Sequence, residues 1–281
     1  MKIALLGNCQ LQQIGWLLKA FFQSQQMEHE IIWHAPIFSL GDQNAEIVPI
    51  FHTLDQADLI YGQFHEKRWN TFSTDSLSKY FDIHVVPTLE SLASFPQMNY
   101  FSKGGLNLNL YSVDFRMLDL YLKGISVDYV PEVYSQAVVD DKRRAFAIDN
   151  TASKYKSLHQ KGKTVFDYSE AYVQAMSQPQ DPYFVHNHPN NAQLQWLTNQ
   201  ILQHAGIPMQ ISFANLAEVL TDTIVPTLNR QQQDRYRIRG TEVGLRTGAK
   251  INYAFFGTYD RAFLEEELEK SNYRALCVSD I

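Results

Sequence analysis

The stretch "KIALLGNCQLQQIGWLL" at residues 2–18 predicts the fold of the chain, because its hydrophobic pattern changes in the middle. Residues 2–6 are a short apolar run of the kind found in buried parallel strands. A Gly-Asn pair then permits a tight turn, and apolar residues recur at helical spacing from about Cys9 to Gln23. A strand followed directly by a helix is the first half of a βαβ unit, so this stretch predicts an α/β fold.

The rest of the chain continues this alternation and then becomes mostly helical. It predicts a single α/β domain over residues 1–281, with a parallel-sheet core, a Rossmann-like start and a helix-rich second half. Residues 110–180 and 207–281 are expected to be mostly helical. The further predicted strands are Glu30–His34, Asp58–Tyr61, Ile83–Val86 and Tyr183–His186, and the predicted helices are 114–122, 141–159, one capped at Asp167, one after Asn190, one capped by Ser212, and 261–270.

The composition limits the classes of function. With 45% hydrophobic and 19% charged residues the chain is typical of a globular protein, and its net charge of −6 argues against broad nucleic-acid binding. A local basic pocket for a phosphorylated ligand is still allowed. No segment reaches the roughly 20 apolar residues that span a bilayer. The two cysteines form neither a disulfide framework nor a cysteine-rich zinc site. We therefore expect a cytoplasmic protein, at most docked on the surface of the inner membrane.

Cys9 occupies a position that suits a nucleophile. It stands at the first turn of a predicted helix and at the carboxyl end of a strand, where open α/β sheets bind ligands. Free backbone N–H groups and the positive end of the helix dipole favour a thiolate there. The same donors can form an oxyanion hole, with Asn8 and Gln10 as amide helpers. The alternative is that Cys9 is a small buried hydrophobe and Asn8 only forms the turn.

His186 and His188 lie at a second predicted strand-to-helix junction. Pro189 fits a helix entrance, and Asn190 fits the helix cap that follows it. An imidazole suits a general base or acid near neutral pH. Two histidines one residue apart can also bind a metal, but no carboxylate or cysteine stands nearby in sequence, so we predict no metal. The alternative is that each histidine only forms hydrogen bonds within the turn.

Further polar residues suit the binding of a phosphorylated ligand. Gln63 follows a predicted strand and can donate to a carbonyl or a phosphate, although it equally suits the surface. Lys103 belongs to the loop Asn99–Asn109, whose paired glycines let backbone approach a phosphate, unless the loop is an exposed turn. Arg143 and Arg144 can grip a phosphate or form a solvated helix face.

Two short motifs resemble those of a known family. Gly7-Asn8-Cys9-Gln10 and Asn187-His188-Pro189-Asn190 resemble motifs of the WcbI-type polysaccharide-biosynthesis acetyltransferases, and the resemblance covers most of the chain. It implies an α/β protein with a helical cap that uses coenzyme A or acetyl-coenzyme A, without a metal, to acetylate a capsular glycan or nucleotide-sugar. Taken with the residue patterns above, it leads us to expect catalytic roles for Cys9, His188, Asn8, Gln10 and His186, and coenzyme-A binding by Gly7, Gln63, Lys103, Arg143 and Arg144.

The layout also resembles that of SGNH hydrolases, in which a nucleophile follows the first strand and a His-Pro element precedes the last helix. Cys9 stands where their serine stands. The aspartate that those enzymes place three residues before the histidine is Val185 here, so an orienting acid must come from elsewhere, such as Asp181.

The predicted function is therefore coenzyme-A-dependent O-acyl transfer to a sugar. It can proceed through an acyl group on Cys9 or by direct attack with His188 as base. The alternatives are an SGNH-like esterase or deacetylase with a cysteine nucleophile, and a non-catalytic module that binds a nucleotide or a glycan.

Overall fold

The computed structural model describes residues 1–40, 44–93, 95–103, 106–107, 113–134, 138–139, 141–220, 241–271 and 277–278. Its central feature is a four-stranded parallel sheet in the order β2-β1-β3-β4. These strands are β1 (Lys2–Leu6), β2 (Glu30–Trp33), β3 (Leu59–Gly62) and β4 (Ile83–Val85). The predicted α/β class, its parallel core and its helix-rich character are confirmed.

Within the described residues, the remaining elements include short strands, ten α-helices and three 3₁₀ helices. The α-helices are α1 (Cys9–Ser24), α2 (Asn44–Asp55), α3 (Thr74–Leu77), α4 (Phe115–Leu122), α5 (Val130–Tyr134), α6 (Asp141–Gln160), α7 (Ser169–Met176), α8 (Asn191–His204), α9 (Thr241–Phe256) and α10 (Arg261–Lys270). The short strands are β5 (Met98–Asn99), β6 (Ser102–Lys103), β7 (Leu106–Asn107), β8 (Val113–Asp114), β9 (Val138–Val139), β10 (Tyr183–Val185), β11 (His188–Pro189) and β12 (Cys277–Val278).

The contacts divide the chain into two compact units. The first comprises Met1–Leu89, Ala152–Tyr172 and His188–Asp222, and the second comprises the rest. This division into units does not test the prediction of a single domain with a helical annex, which stays a prediction. None of the described helices is both long and apolar enough to cross a membrane.

The first unit is built around β1, which pairs with a strand on each side. Ile3 to Leu6 are at most 2% exposed, as expected of the central strand in a parallel sheet. Ala4 and Leu6 pack in one cluster with Ile50 and Leu54 of α2. Alternation along the strand therefore directs the other residues of β1 to the opposite face. Helix α1 packs on β1 and β2 and also contacts α8.

The second unit has a helical and aromatic core of its own. Helix α4 packs against α9 and α10. The cluster includes Phe101, Phe115, Leu118, Phe256 and Leu264, all of them buried. The predicted helix 114–122 is confirmed as α4, with Asp114 as its N-cap: the Asp114 carboxylate accepts the backbone N–H groups of Arg116 and Met117.

The prediction of a helix that begins at Ser212 is wrong, because residues 212–220 form turns and no helix. The side-chain amide of Asn191 donates to the backbone carbonyls of Leu216 and Ala217, at 3.2 and 3.0 Å. Its oxygen accepts the backbone N–H of Val219. These long-range hydrogen bonds engage the backbone groups that a helix needs for itself, so tertiary contacts override the local apolar spacing.

The stretch 99–109, suggested as a phosphate loop or an exposed turn, contains short antiparallel strands. Asn99 belongs to β5, and Ser102 and Lys103 of β6 pair with Asn107 and Leu106 of β7. The paired glycines of this stretch lie outside the described residues, as do the arginine-rich stretch 230–239 and the side chain of Lys103.

Candidate active site at the carboxyl end of strand β1

The predicted nucleophile and base are in contact in the first unit. The Sγ atom of Cys9 lies 3.3 Å from Nε2 of His188, and both side chains are partly buried. Cys9 is the first residue of α1, directly after the turn that leaves β1. His188 lies in β11, two residues before the N-cap of α8. The packing of α1 against α8 therefore brings together two residues that are 179 positions apart.

The turn between β1 and α1 is held by three hydrogen bonds. The Oδ1 atom of Asn8 accepts the backbone N–H of Gln10 at 2.8 Å, which makes Asn8 the N-cap of α1. The backbone N–H of Asn8 donates to Oε1 of Gln63, also at 2.8 Å. The Gly7 carbonyl accepts the backbone N–H of Ile37 at 2.7 Å. The segments that follow β2 and β3 therefore both fix the backbone beside Cys9.

Gln63 and Gln10 form a buried chain of amides behind this turn. The Nε2 atom of Gln63 donates to Oε1 of Gln10 at 2.9 Å. Gln10 in turn donates to the carbonyl of Leu89 and accepts its backbone N–H, at 2.8 and 3.0 Å. Both glutamines are at most 2% exposed. Such satisfied buried networks fix a unique local geometry.

The packing around Gly7 leaves no room for a side chain. A Cβ atom at this position would lie 2.7 Å from both Oε1 of Gln63 and Cδ1 of Leu11. Glycine is therefore required so that the strand end can approach Gln63 closely. This gives Gly7 and Gln63 roles in shaping the turn, where the sequence suggested roles in ligand binding.

The oxyanion role suggested for Gln10 does not fit its environment. Its side chain is fully buried, and its amide donates to Leu89. Asn8 differs, because only its oxygen serves as the helix cap and its residue is partly exposed. Among the described residues, no hydrogen bond engages Nδ2 of Asn8, so this amide keeps donors for a ligand.

The N-terminus of α8, beyond His188, is also anchored. The Asn190 side chain accepts the backbone N–H of Gln193 at 3.2 Å, which confirms the predicted cap. The backbone N–H of Asn191 donates to Oε2 of Glu218 at 2.6 Å. A carboxylate at this helix end is stabilised by the helix dipole. Glu218 was missed by sequence reasoning, because it lies 27 residues away and no local pattern marks it.

The other predicted site residues belong to the second unit. His186 is 6% exposed, its carbonyl accepts the backbone N–H of Ser91 at 2.7 Å, and its ring contacts that of Tyr100 edge-on. This environment favours a histidine that holds a turn. Asp181, suggested as an orienting acid, accepts the backbone N–H of Tyr183 at 3.3 Å.

The two arginines suggested for phosphate binding lie on α6. The Nη2 atom of Arg144 donates to the carbonyl of Met176, the last residue of α7, at 3.4 Å. A cation at a helix C-terminus satisfies a carbonyl and complements the dipole, so Arg144 has a structural role. Arg143 is partly exposed on the same helix.

One buried histidine close to Gln63 stays neutral. Burial lowers the pKa of His65 to about 4, against the opposing effect of a hydrogen bond to the Phe72 backbone. The backbone of His65 is fixed by Thr74, whose hydroxyl accepts its N–H at 2.7 Å. Among the described residues, no group of three His, Cys, Asp or Glu side chains is arranged to hold a metal ion.

Comparison with known proteins agrees with this fold. The family model described as polysaccharide biosynthesis enzyme WcbI matches residues 2–210, which is more than half of the chain. A solved structure of WcbI, a novel polysaccharide biosynthesis enzyme, has a TM-score of 0.69 at 14% identity and covers 98% of this chain and 97% of its own. That structure is of the native protein without a disulfide bond between coenzyme A and one of its cysteines. A search of the curated proteins finds no match. The chain belongs to the WcbI family of polysaccharide biosynthesis enzymes.

Proposed function

We propose that this chain is a coenzyme-A-dependent O-acyltransferase, in the simplest case an acetyltransferase, that modifies a sugar hydroxyl of a polysaccharide precursor. The observation that carries the proposal is the contact of 3.3 Å between Cys9 and His188 at the carboxyl end of the central strand. Family membership supports a glycan as acceptor. The description of the WcbI structure, as the native protein without a disulfide bond between coenzyme A and a cysteine, names the two groups as a pair, which supports a thiol beside the coenzyme-A site.

In the first half-reaction Cys9 acts as the nucleophile. His188 takes the proton of the Cys9 thiol, and the thiolate attacks the carbonyl carbon of the acyl thioester. A new bond joins the acyl carbon to Sγ of Cys9, and the bond from that carbon to the sulfur of coenzyme A breaks. His188 returns its proton to the departing sulfur, which leaves as a thiol.

In the second half-reaction His188 acts on the sugar. Its imidazole takes the proton of the acceptor hydroxyl while the oxygen attacks the acyl carbon on Cys9. The bond between that carbon and Sγ breaks, an ester forms, and the proton passes from His188 to the cysteine. Asn8 supplies the amide donor for the oxyanion, together with the N-terminus of α1.

The residues around Cys9 fit the thioester end of acyl-coenzyme A. A partly exposed thiol with a base in contact is what thioester exchange requires. The suggestion from the sequence that Arg143 and Lys103 bind phosphates stays a prediction. We do not propose phosphate binding by Arg144, Gly7 or Gln63, because other groups of the protein engage or crowd them.

The test is rapid-quench mass spectrometry of the full chain mixed with acetyl-coenzyme A. We expect one acetyl group on Cys9, which Cys9→Ala abolishes and His188→Ala slows. The matched control is Cys277→Ala, because Cys277 is the second of the two cysteines and should leave the adduct unchanged.

Other results would lead to other functions. Sugar acetylation that survives Cys9→Ala without any adduct would replace the covalent route with direct attack of the sugar hydroxyl on the thioester, with His188 as the general base. Release of acetate at the same rate with and without sugars would identify an esterase. Binding of coenzyme A or a glycan that is unchanged in a Cys9→Ala/His188→Ala double variant, without turnover in the wild type, would identify a binding module.

A further inference from the structure

Two exposed phenylalanines flank the turn that carries Cys9. Phe38 is 51% exposed and Phe64 is 60% exposed, although both belong to the first unit and follow core strands. Phe38 comes after β2 and Phe64 after β3, the two neighbours of β1 in the sheet. Both therefore lie at the carboxyl edge, where Cys9 also lies.

Each of these phenylalanines is directly connected to the turn. Phe38 follows Ile37, whose backbone N–H donates to the Gly7 carbonyl at 2.7 Å. Phe64 follows Gln63, whose side chain accepts the backbone N–H of Asn8 at 2.8 Å. One residue and one hydrogen bond thus separate each phenylalanine from the Gly7–Cys9 segment.

The backbone on both sides of each ring is anchored, so their exposure is built into the fold. Ile37 and Leu40, around Phe38, are buried at 5% and 8% exposure. Gln63 and His65, around Phe64, are buried at 2% and 7% exposure. Rigid aromatic side chains with fixed backbones lose little entropy when they bind a ligand.

Single exposed apolar residues are common on protein surfaces and by themselves indicate nothing. These two differ because each lies next to a residue that is hydrogen-bonded to the turn that carries the candidate nucleophile. The exposed Tyr80 offers a contrast: it is 69% exposed but precedes β4, so it lies toward the amino edge of the sheet.

We infer that Phe38 and Phe64 form an aromatic platform that holds the pyranose ring of the acceptor sugar beside Cys9; this inference rests on the proposed function. One face of a pyranose presents C–H groups, which pack on aromatic rings, while its hydroxyls stay free to react. The reacting hydroxyl is carried by the acceptor ring itself, so that ring must lie next to Cys9 and His188. The adenine of coenzyme A is separated from the thioester by the pantetheine arm and the pyrophosphate, which makes it the poorer occupant.

The first measurement is the kinetics of transfer from acetyl-coenzyme A to methyl hexopyranosides. For Phe38→Ala and Phe64→Ala we expect the KM for the sugar to rise roughly tenfold each, by analogy with the loss of a stacked ring. The KM for acetyl-coenzyme A and the acetylation of Cys9 without sugar should not change. Phe64→Trp, unlike Phe64→Ala, should keep the KM for the sugar near the wild-type value. Tyr80→Ala should leave this KM unchanged.

The second measurement does not depend on turnover. Saturation-transfer-difference NMR of the same methyl hexopyranosides on the full chain should show contacts to the sugar C–H protons, which Phe38→Ala and Phe64→Ala weaken and Tyr80→Ala retains. This result without any acyl transfer would support the platform and refute the acyltransferase. A raised KM for acetyl-coenzyme A with an unchanged KM for the sugar would overturn the platform, as would the absence of sugar binding in the wild type.

Discussion

At the scale of single residues, the chemistry depends on whether His188 activates Cys9. A base at 3.3 Å from the sulfur can both remove the thiol proton and stabilise the thiolate as an ion pair. The N-terminus of α1 adds a further favourable field. These two effects are separable, because the helix remains when the histidine is removed.

We therefore predict that His188→Ala slows alkylation of Cys9 by iodoacetamide near neutral pH by about tenfold, less than is typical for loss of a general base because the N-terminus of α1 still favours the thiolate. The measurement is made in a Cys277→Ala background, so that one thiol alone is labelled. His188→Gln should resemble the alanine variant, because an amide is no base. Equal rates in all three proteins would show that the contact does not activate the thiol.

At the scale of elements, the turn between β1 and α1 is the part of the site that local sequence could predict. The apolar run, the Gly-Asn pair and the helical spacing all lie within residues 2–18, and the structure reproduces them as β1, an Asn8 cap and α1. Local pattern suffices there because strand, turn and cap are decided by neighbouring residues.

Other parts of the site depend on contacts between distant segments and could not be predicted. Gln10 was assigned to an oxyanion hole, since nothing local reveals that Leu89 engages its amide. The helix expected after Ser212 fails for the same reason, because Asn191 binds the backbone of that segment. The sequence placed Cys9 and His188 at similar junctions, and only the packing of α1 on α8 pairs them.

The close approach at the end of β1 predicts the effect of one added methyl group. Gly7→Ala should lower the free energy of unfolding by about 1–3 kcal/mol, the usual cost of overpacking. It should also slow alkylation of Cys9, because Gln63 must move away from the turn. Chemical denaturation gives the first quantity.

The matched control for this variant is Gly248→Ala within α9. Among the described residues, a Cβ there meets only Cε of Met117, at 3.8 Å, so alanine should be tolerated or stabilise the helix by up to about 1 kcal/mol. If Gly7→Ala were as stable as Gly248→Ala, the tight packing against Gln63 would be refuted.

At the scale of the whole molecule, the two units contain buried groups that respond to pH in opposite directions. In the first unit, burial lowers the pKa of His65 to about 4, below its ordinary value of 6.5. In the second, burial raises the pKa of Asp114 from 3.8 to about 6, although hydrogen bonds from Tyr134, Met117 and Arg116 oppose this shift.

The signs of the two effects follow from which state binds the proton more tightly. The unfolded chain protonates His65 more readily, so its contribution to stability is present above pH 6.5 and is lost as the pH falls towards 4. The folded chain protonates Asp114 more readily, so its contribution is present below pH 3.8 and is lost as the pH rises through 6. Each group contributes about 3 kcal/mol to the free energy of unfolding at full extent.

We predict that two variants change the slope of the free energy of unfolding against pH in opposite directions. The effect should appear between pH 4 and 6, the window shared by both pKa shifts. Relative to the wild type, His65→Gln should lose stability as the pH rises, and Asp114→Asn should gain it. Denaturant unfolding at several pH values measures both, and the profile of the double variant should parallel that of the wild type, because the two contributions oppose each other with similar size. Parallel profiles for the two single variants would contradict the assignment.

The buried amide chain behind Cys9 has a consequence for how the site can be observed. The side-chain NH₂ protons of Gln10 and Gln63 are hydrogen-bonded and shielded from water. They should therefore exchange with deuterium only when the turn opens. Their exchange rate then measures local unfolding at the candidate active site. The side-chain amide resonances of Gln10 and Gln63 thus report how often the turn that carries Cys9 opens, and this measurement needs no substrate.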